Sequence, residues 1–178
     1  QLNYFGALRM ILRVLPGMTA QKRGHVINIS SLGVLNHPPR FSAYVASKSA
    51  LEAFSICAAS EFSDKNIHFT NINMPLVRTE MIAPTKIYQY APALEVGEAV
   101  DLVVEAVINK PKRVATGMGK FLSVMGALFP KFVEIANNAT YRMFPDSGAA
   151  KSGAPGKELP EATSEQVAMA ALMKGVHF

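Results

Sequence analysis

"HVINISSLGVLNHPPRFSAYVASKSALEAFS", residues 25–55, holds the reading of the whole chain. It opens on HVINIS, a short β-branched run of the buried-strand type. Residues 32–43 follow, with Gly33 and the Pro38–Pro39 pair, and read as loop. From Tyr44 the pattern becomes helical and Ala-rich, which predicts a long helix over 44–62 with small residues on much of its surface. Tyr44 and Lys48 stand four apart on that helix, so their side chains share a face. A free tyrosine, with a pKa near ~10, exchanges protons poorly at neutral pH. An ammonium beside a phenol favours the phenolate and eases proton exchange with a bound alcohol or carbonyl.

Working outward, Leu2, Phe5, Leu8, Met10, Ile11, Leu12, Val14 and Leu15 recur at near-helical spacing and predict a helix over 2–20. NIHFTNIN at 66–73 reads as a second strand, stopped by Pro75, with a loop running to about Pro92. A helix is expected over 95–109 and a short strand at 113–116. This alternation predicts an α/β fold with a parallel sheet and right-handed crossovers. Sites in such sheets lie at the carboxyl ends of the strands. Ser30 and Ser31 end the first strand and Asn73 ends the second.

Beyond Met118 the pattern changes. Met118, Phe121, Leu122, Met125, Leu128, Phe129, Phe132, Val133 and Ala136 form a broad apolar stripe at helical spacing, which Pro130 kinks or splits. Lys110, Lys112, Arg113, Lys120, Lys131 and Arg142 accompany it, against the single acid Glu134. Residues 147–162 are rich in Gly, Ala and Pro and read as a linker. Thr163 and Gln166 fit a capping box for a short final helix.

Composition narrows the classes. Of 178 residues, 49% are hydrophobic and 17% charged, which excludes a disordered chain. The formal charge of +5 suits anionic ligands or an anionic surface without demanding nucleic acid, and none is expected. Cys57 is the only cysteine, so no internal disulfide or thiolate zinc site can form. A buried, small apolar role is expected for it, in a reducing, cytoplasmic setting. His25, His37, His68 and His177 lack ligand spacing, and no metal site is expected. No run of about 18 uncharged apolar residues predicts a membrane span. The chain begins at Gln1 inside a predicted helix and reads as part of a longer protein.

A Tyr–Lys spacing of four should arise about 0.3 times by chance here, so the pair alone is weak evidence. Its neighbours strengthen it. The motif Tyr44-Val45-Ala46-Ser47-Lys48, the strand-end NISS with Ser31 thirteen positions earlier, Pro75-Leu76-Val77-Arg78-Thr79, and Asn3 in LNYFG occur in order. Together they resemble the short-chain dehydrogenase/reductase family over residues 1 to about 116. The resemblance implies the C-terminal half of a Rossmann-like, doubly wound parallel sheet over 1–116. An amphipathic helical extension at 117–146 and a linker with a short helix at 147–178 would follow.

The resemblance also implies roles. Tyr44 would be general acid in carbonyl reduction and base in alcohol oxidation. Lys48 would supply the neighbouring cation and bind the nicotinamide ribose. Ser31 would hold and polarise the substrate oxygen. Asn3 would anchor a water linking Lys48 to solvent. Tyr44, Lys48, Pro75, Val77 and Thr79 would bind the cofactor, NADP or NAD with NADP preferred. Thr79 also suits an N-cap ahead of EMIA. The family's glycine-rich phosphate loop does not occur in these residues, so the isolated piece is expected to bind cofactor poorly and turn over little. Leu76 stands where the family usually has glycine and would crowd the loop near the cofactor. The helices at 2–20 and 44–62 are those through which the family commonly forms oligomers. The tail resembles bacterial fatty acyl-CoA reductases of this family. The expected activity is hydride transfer between a nicotinamide and a carbonyl or alcohol, with fatty acyl-CoA, fatty aldehyde or another lipid as substrate and peripheral membrane contact through the basic, apolar tail. The alternative is a non-catalytic remnant serving dimerisation or membrane-surface attachment.

Overall fold

The computed structural model describes residues 2–80, 82 and 91–143. Three parallel strands, β1 (Gly24–Ile29), β2 (Ile67–Asn73) and β3 (Arg113–Ala115), pair in the order β1-β2-β3. The β1–β2 register runs from Gly24↔Ile67 to Ile29↔Ile72, and the β2–β3 register from Asn71↔Arg113 to Asn73↔Ala115. β2 is buried along nearly its whole length, as a central strand covered on both faces must be.

The pleat sorts the side chains. Val26 and Phe69 turn to one face, where they pack with Ile11 and Leu15 of α1 (Ala7–Gln21) and with Leu51 and Ala58 of α3 (Ser42–Glu61). Ile27, Ile72 and Val114 turn to the other, against Leu102, Val103 and Ala106 of α4 (Val96–Asn109). Each fully buried Leu or Ile contributes roughly 1.5–3 kcal/mol. Glu95 caps α4 in a reciprocal box with Glu98, which holds the helix start after the long connection from β2.

Several expectations need correction. The first helix does not begin as an α-helix: Leu2–Gly6 is a π-helical turn leading into α1. Residues 33–36 form a one-turn helix, α2 (Gly33–Asn36), inside the segment read as loop. α3 and α4 cover opposite faces although the strands step in one direction, so the two crossovers have opposite hands. The chain changes face between the end of β2 and the start of α4, which a right-handed return would not do. Cys57 is exposed, because the buried stripe of α3 runs through Leu51, Ser55 and Ala58 instead.

Pro130 splits the apolar tail into α5 (Gly117–Leu128) and α6 (Pro130–Met143), with Phe129 between them. Thr116 caps α5, its hydroxyl oxygen accepting from the Gly119 N–H at 3.3 Å. Gly119 lies so close to Leu32 that a Cβ there would sit 2.8 Å from Leu32 Cδ1. α6 reaches back to the β1–α3 connection. Asn137 Nδ2 donates to the carbonyls of Asn36 at 3.3 Å and His37 at 3.5 Å, and Arg40 donates to the Tyr141 carbonyl at 3.3 Å. The Arg40 guanidinium also stacks 4.5 Å from the Tyr141 ring centroid. Phe121, Val124, Leu128, Phe129, Phe132 and Ile135 stand exposed on this hairpin. The linker and final helix expected beyond residue 146 lie outside the described residues.

Candidate active site

The site lies at the carboxyl edge of the sheet. β1 ends at Ile29, and pairing with β2 and the residue after it continues beyond that point. The Ser30 N–H donates to Ile72 O at 2.8 Å and the Leu32 N–H to Met74 O at 2.9 Å. Ser31 therefore stands on a hydrogen-bonded frame at the strand end. Its Oγ accepts the Gly33 N–H at 3.1 Å. With that lone pair used, the hydroxyl proton remains a donor for a substrate oxygen.

Tyr44 enters on the first turn of α3 with its residue 40% exposed, so the phenol is open to a substrate. Lys48 follows one turn later and is half-buried. Its ammonium donates to the Ile29 carbonyl at 2.8 Å. Burial pushes this ammonium below its ordinary pKa. Asn3, in the π-helical turn, donates to Ser47 Oγ at 3.5 Å and so borders the residue next to Lys48. Single π-turns recur at functional sites because they re-aim one side chain.

The connection from Ser31 to Tyr44 carries local strain. His37 and Arg40 have φ values of 47° and 72°, and neither is glycine. His37 caps α2 in the left-handed conformation, while Arg40 sits in the loop itself. Such positions cost roughly 1–3 kcal/mol and cluster at functional loops. Here they bend the chain between the strand-end serine and the helix bearing the tyrosine.

The segment after β2 is held as an extended strap. Val77 bridges Leu94 in parallel, with Leu94 N–H donating to Leu76 O at 2.8 Å and Arg78 N–H to Leu94 O at 2.9 Å. Arg78 also pairs with Glu95 at 2.9 Å. Pro75 is buried, Val77 half-buried and Thr79 exposed, with the Thr79 hydroxyl donating to Val77 O at 3.4 Å. The expected N-cap role of Thr79 depends on residue 81 and beyond, most of which lies outside the described residues. Among the described residues no group of His, Cys, Asp and Glu is arranged to hold a metal ion.

The site also holds groups that the sequence reading left out. Glu52, one turn beyond Lys48, is buried at 4% exposure. Its carboxylate takes hydrogen bonds from Ser30, Asn73 and Arg113. A signal was present: Glu52 is the lone acid between residues 42 and 60 of an otherwise small and apolar helix.

Comparisons with known proteins bear on family and fold. The family model described as short chain dehydrogenase matches residues 1–88, which include Ser31, Tyr44, Lys48 and the Pro75–Thr79 strap. The chain is 53% identical over 150 residues to a fatty acyl-CoA reductase of Acinetobacter baylyi, covering 84% of this chain and 51% of that protein. It is 36% identical over 178 residues to an uncharacterized oxidoreductase of Mycobacterium bovis, covering 100% of this chain and 52% of the relative. A short-chain dehydrogenase of Burkholderia cenocepacia, solved with NADP, superposes with a TM-score of 0.67 at 24% identity, over 76% of this chain and 56% of that one, and shares the fold. Over residues 1–88, which hold the candidate site, the chain matches the short-chain dehydrogenase family. It spans about half the length of the curated relatives it matches.

Proposed function

We propose that this chain carries the catalytic and substrate-facing half of an NAD(P)-dependent oxidoreductase that reduces a fatty acyl-CoA, a fatty aldehyde or a related lipid carbonyl. A bound nicotinamide cofactor supplies the hydride. Tyr44 gives its phenolic proton to the carbonyl oxygen as that oxygen gains charge, and takes a proton back in the alcohol-oxidising direction. Ser31, whose Oγ already accepts from Gly33, donates its own proton to the same oxygen and orients it. Lys48 sets a cation on the Tyr44 face of α3, bound to the Ile29 carbonyl, with donor capacity left for a ribose hydroxyl. Pro75, Val77 and Thr79 fit the nicotinamide side because the bridge to Leu94 fixes their backbone at the carboxyl edge of the sheet.

The observation that carries the reading is the strand-end Ser31 and the exposed Tyr44 joined by one bent connection, with Lys48 a turn behind. The lipid substrate class rests on the fatty acyl-CoA reductase relative and on the exposed apolar hairpin latched to that same connection. An exposed apolar hairpin fastened to the connection that follows the serine suits an acyl chain. Oxidation of NADPH by the full-length protein with long-chain acyl-CoA, fatty aldehyde and 3-oxoacyl substrates tests it. Tyr44→Phe should lose nearly all turnover; equal rates in both proteins would overturn the assignment.

Two contacts belong to the same reading. Exposed Met10, Leu12 and Val14 of α1 and Ile56 of α3 suit a self-association surface, checked by light scattering of the full-length protein against Leu12→Glu. The hairpin's Phe129 and Phe132, with Lys120 and Lys131 nearby, suit peripheral contact with anionic lipid. No helix among the described residues is long and apolar enough to cross a membrane. A non-catalytic scaffold is the competing reading, and the Tyr44→Phe assay separates the two.

A further inference from the structure

The buried carboxylate of Glu52 has no part in the chemistry above, yet it is tied to every strand of the sheet. Ser30 Oγ of the β1 end donates to Glu52 Oε1. Asn73 Nδ2, at the end of β2, donates to the same oxygen at 2.5 Å. Arg113, opening β3, donates to Oε2 at 3.2 Å, with the guanidinium partly exposed and the carboxylate enclosed. The same Asn73 Nδ2 also donates to the Ser31 carbonyl at 3.2 Å. The Ser30–Ser31 strand end is thus clamped from two sides by groups that converge on Glu52.

Glu52 belongs to the helix that carries Tyr44 and Lys48. The three residues occupy positions i, i+4 and i+8 on one face of α3. A carboxyl group accepts at both oxygens, so three donors from three strands are satisfied together only if Glu52 is correctly placed. Burial in the low-dielectric interior makes the arrangement all-or-none, since an unpaired member is costly.

We propose that Glu52 is a positioning residue that fixes the distance between Ser31 and Tyr44 by anchoring the Tyr44 helix to the ends of β1 and β2 and the start of β3. The proposal rests on the reading of Ser31 and Tyr44 as the groups that engage the substrate oxygen. Glu52 touches neither substrate nor cofactor; it acts through Ser30 and Asn73 on the backbone of Ser31. Gln at this position keeps the volume but offers an amide N–H₂ to one set of donors, which pushes that strand end away. Misplacement on the order of 1 Å suffices to lower a rate by up to about 100-fold.

The test is a double-mutant cycle in the full-length protein. Glu52→Gln should lower kcat by about tenfold or more while KM for NADPH changes little. In a Ser31→Ala background the same substitution should cost almost nothing further, because the group it positions is gone. A loss of equal size in both backgrounds, or an unchanged kcat, overturns the proposal. Phe69→Leu, in the core below, serves as the control of comparable thermal destabilisation and should keep kcat. If Glu52→Gln does not fold, Arg113→Met removes the outer partner alone and should show the same non-additivity with Ser31→Ala. Hydrogen exchange separates this failure from failure of the enzymatic reading. The Leu32 and Gly33 amides should exchange faster in Glu52→Gln than in Phe69→Leu, and equal exchange in the two variants overturns the positioning role whatever the activity.

Discussion

The Lys48 ammonium lies 2.8 Å from the Ile29 carbonyl oxygen, so the helix bearing Tyr44 is pinned by a charged hydrogen bond to the strand that ends in the serine pair. This contact fixes one donor of Lys48 and leaves two. Lys48→Met should abolish turnover and weaken cofactor binding at once, whereas Tyr44→Phe should lower turnover and spare cofactor binding. Fluorescence titration with NADPH beside steady-state kinetics separates the two effects.

In the proposed function Tyr44 moves the proton. General acid catalysis contributes roughly 10²–10⁴-fold. Tyr44→Phe should therefore lower kcat by about that factor with thermal stability close to the parent, since the phenol is exposed. Ser31→Ala should lose a comparable amount, read in the same assay.

At the opposite end of the sheet, His25 predicts a pH dependence of stability. Thr70 donates its hydroxyl proton to Pro111 O at 2.5 Å, so His25 Nε2–H must be the donor in the 2.9 Å contact with Thr70 Oγ1. Burial first, then the His68 imidazole and the Lys110 ammonium, hold the His25 imidazolium below its ordinary pKa. The unfolded chain, with a pKa near ~6.5, takes up its proton before the folded one does. Stability should therefore fall as pH drops below about 6.5 until the folded pKa is reached, and recover as pH rises again. Thermal melts of the parent and His25→Gln between pH 5 and 8 should show the acid-side loss shrinking in the variant.

Gly119 makes a packing prediction. Its missing side chain admits Leu32, whose Cδ1 would sit 2.8 Å from an added Cβ. Alanine gains about 1 kcal/mol of helix propensity and needs only the tip of Leu32 to turn, so Gly119→Ala should be near neutral. Gly119→Val overfills the same contact and should cost about 1–3 kcal/mol in urea unfolding.

Much of this was legible in the chain. The strands, α3 and α4 were read to within about two residues, the strands and α4 from their periods and α3 from its Ala-rich run after the Pro38–Pro39 loop. The Tyr44–Lys48 face and the strand-end Ser31 followed from spacing and from the family motifs. What stayed hidden depends on the third dimension. The change of face between β2 and α4 leaves no mark on hydrophobic period. The π-turn at Asn3 is a backbone choice that its apolar neighbours do not encode. Cys57 was misassigned because α3 is lined with small residues all round, so its buried stripe cannot be told from its outer one. Glu52 belongs to no motif read from the chain, and only the convergence of Ser30, Asn73 and Arg113 gives it a meaning.

The grip of Asn137 on the carbonyls of Asn36 and His37 has an evolutionary consequence. Through Asn137 the tail holds main-chain atoms, which any sequence provides, and not Ser31 or Tyr44. Under the proposed function, substitutions on the exposed face of α5 and α6 would re-contour the acyl side while Ser31 and Tyr44 are inherited untouched.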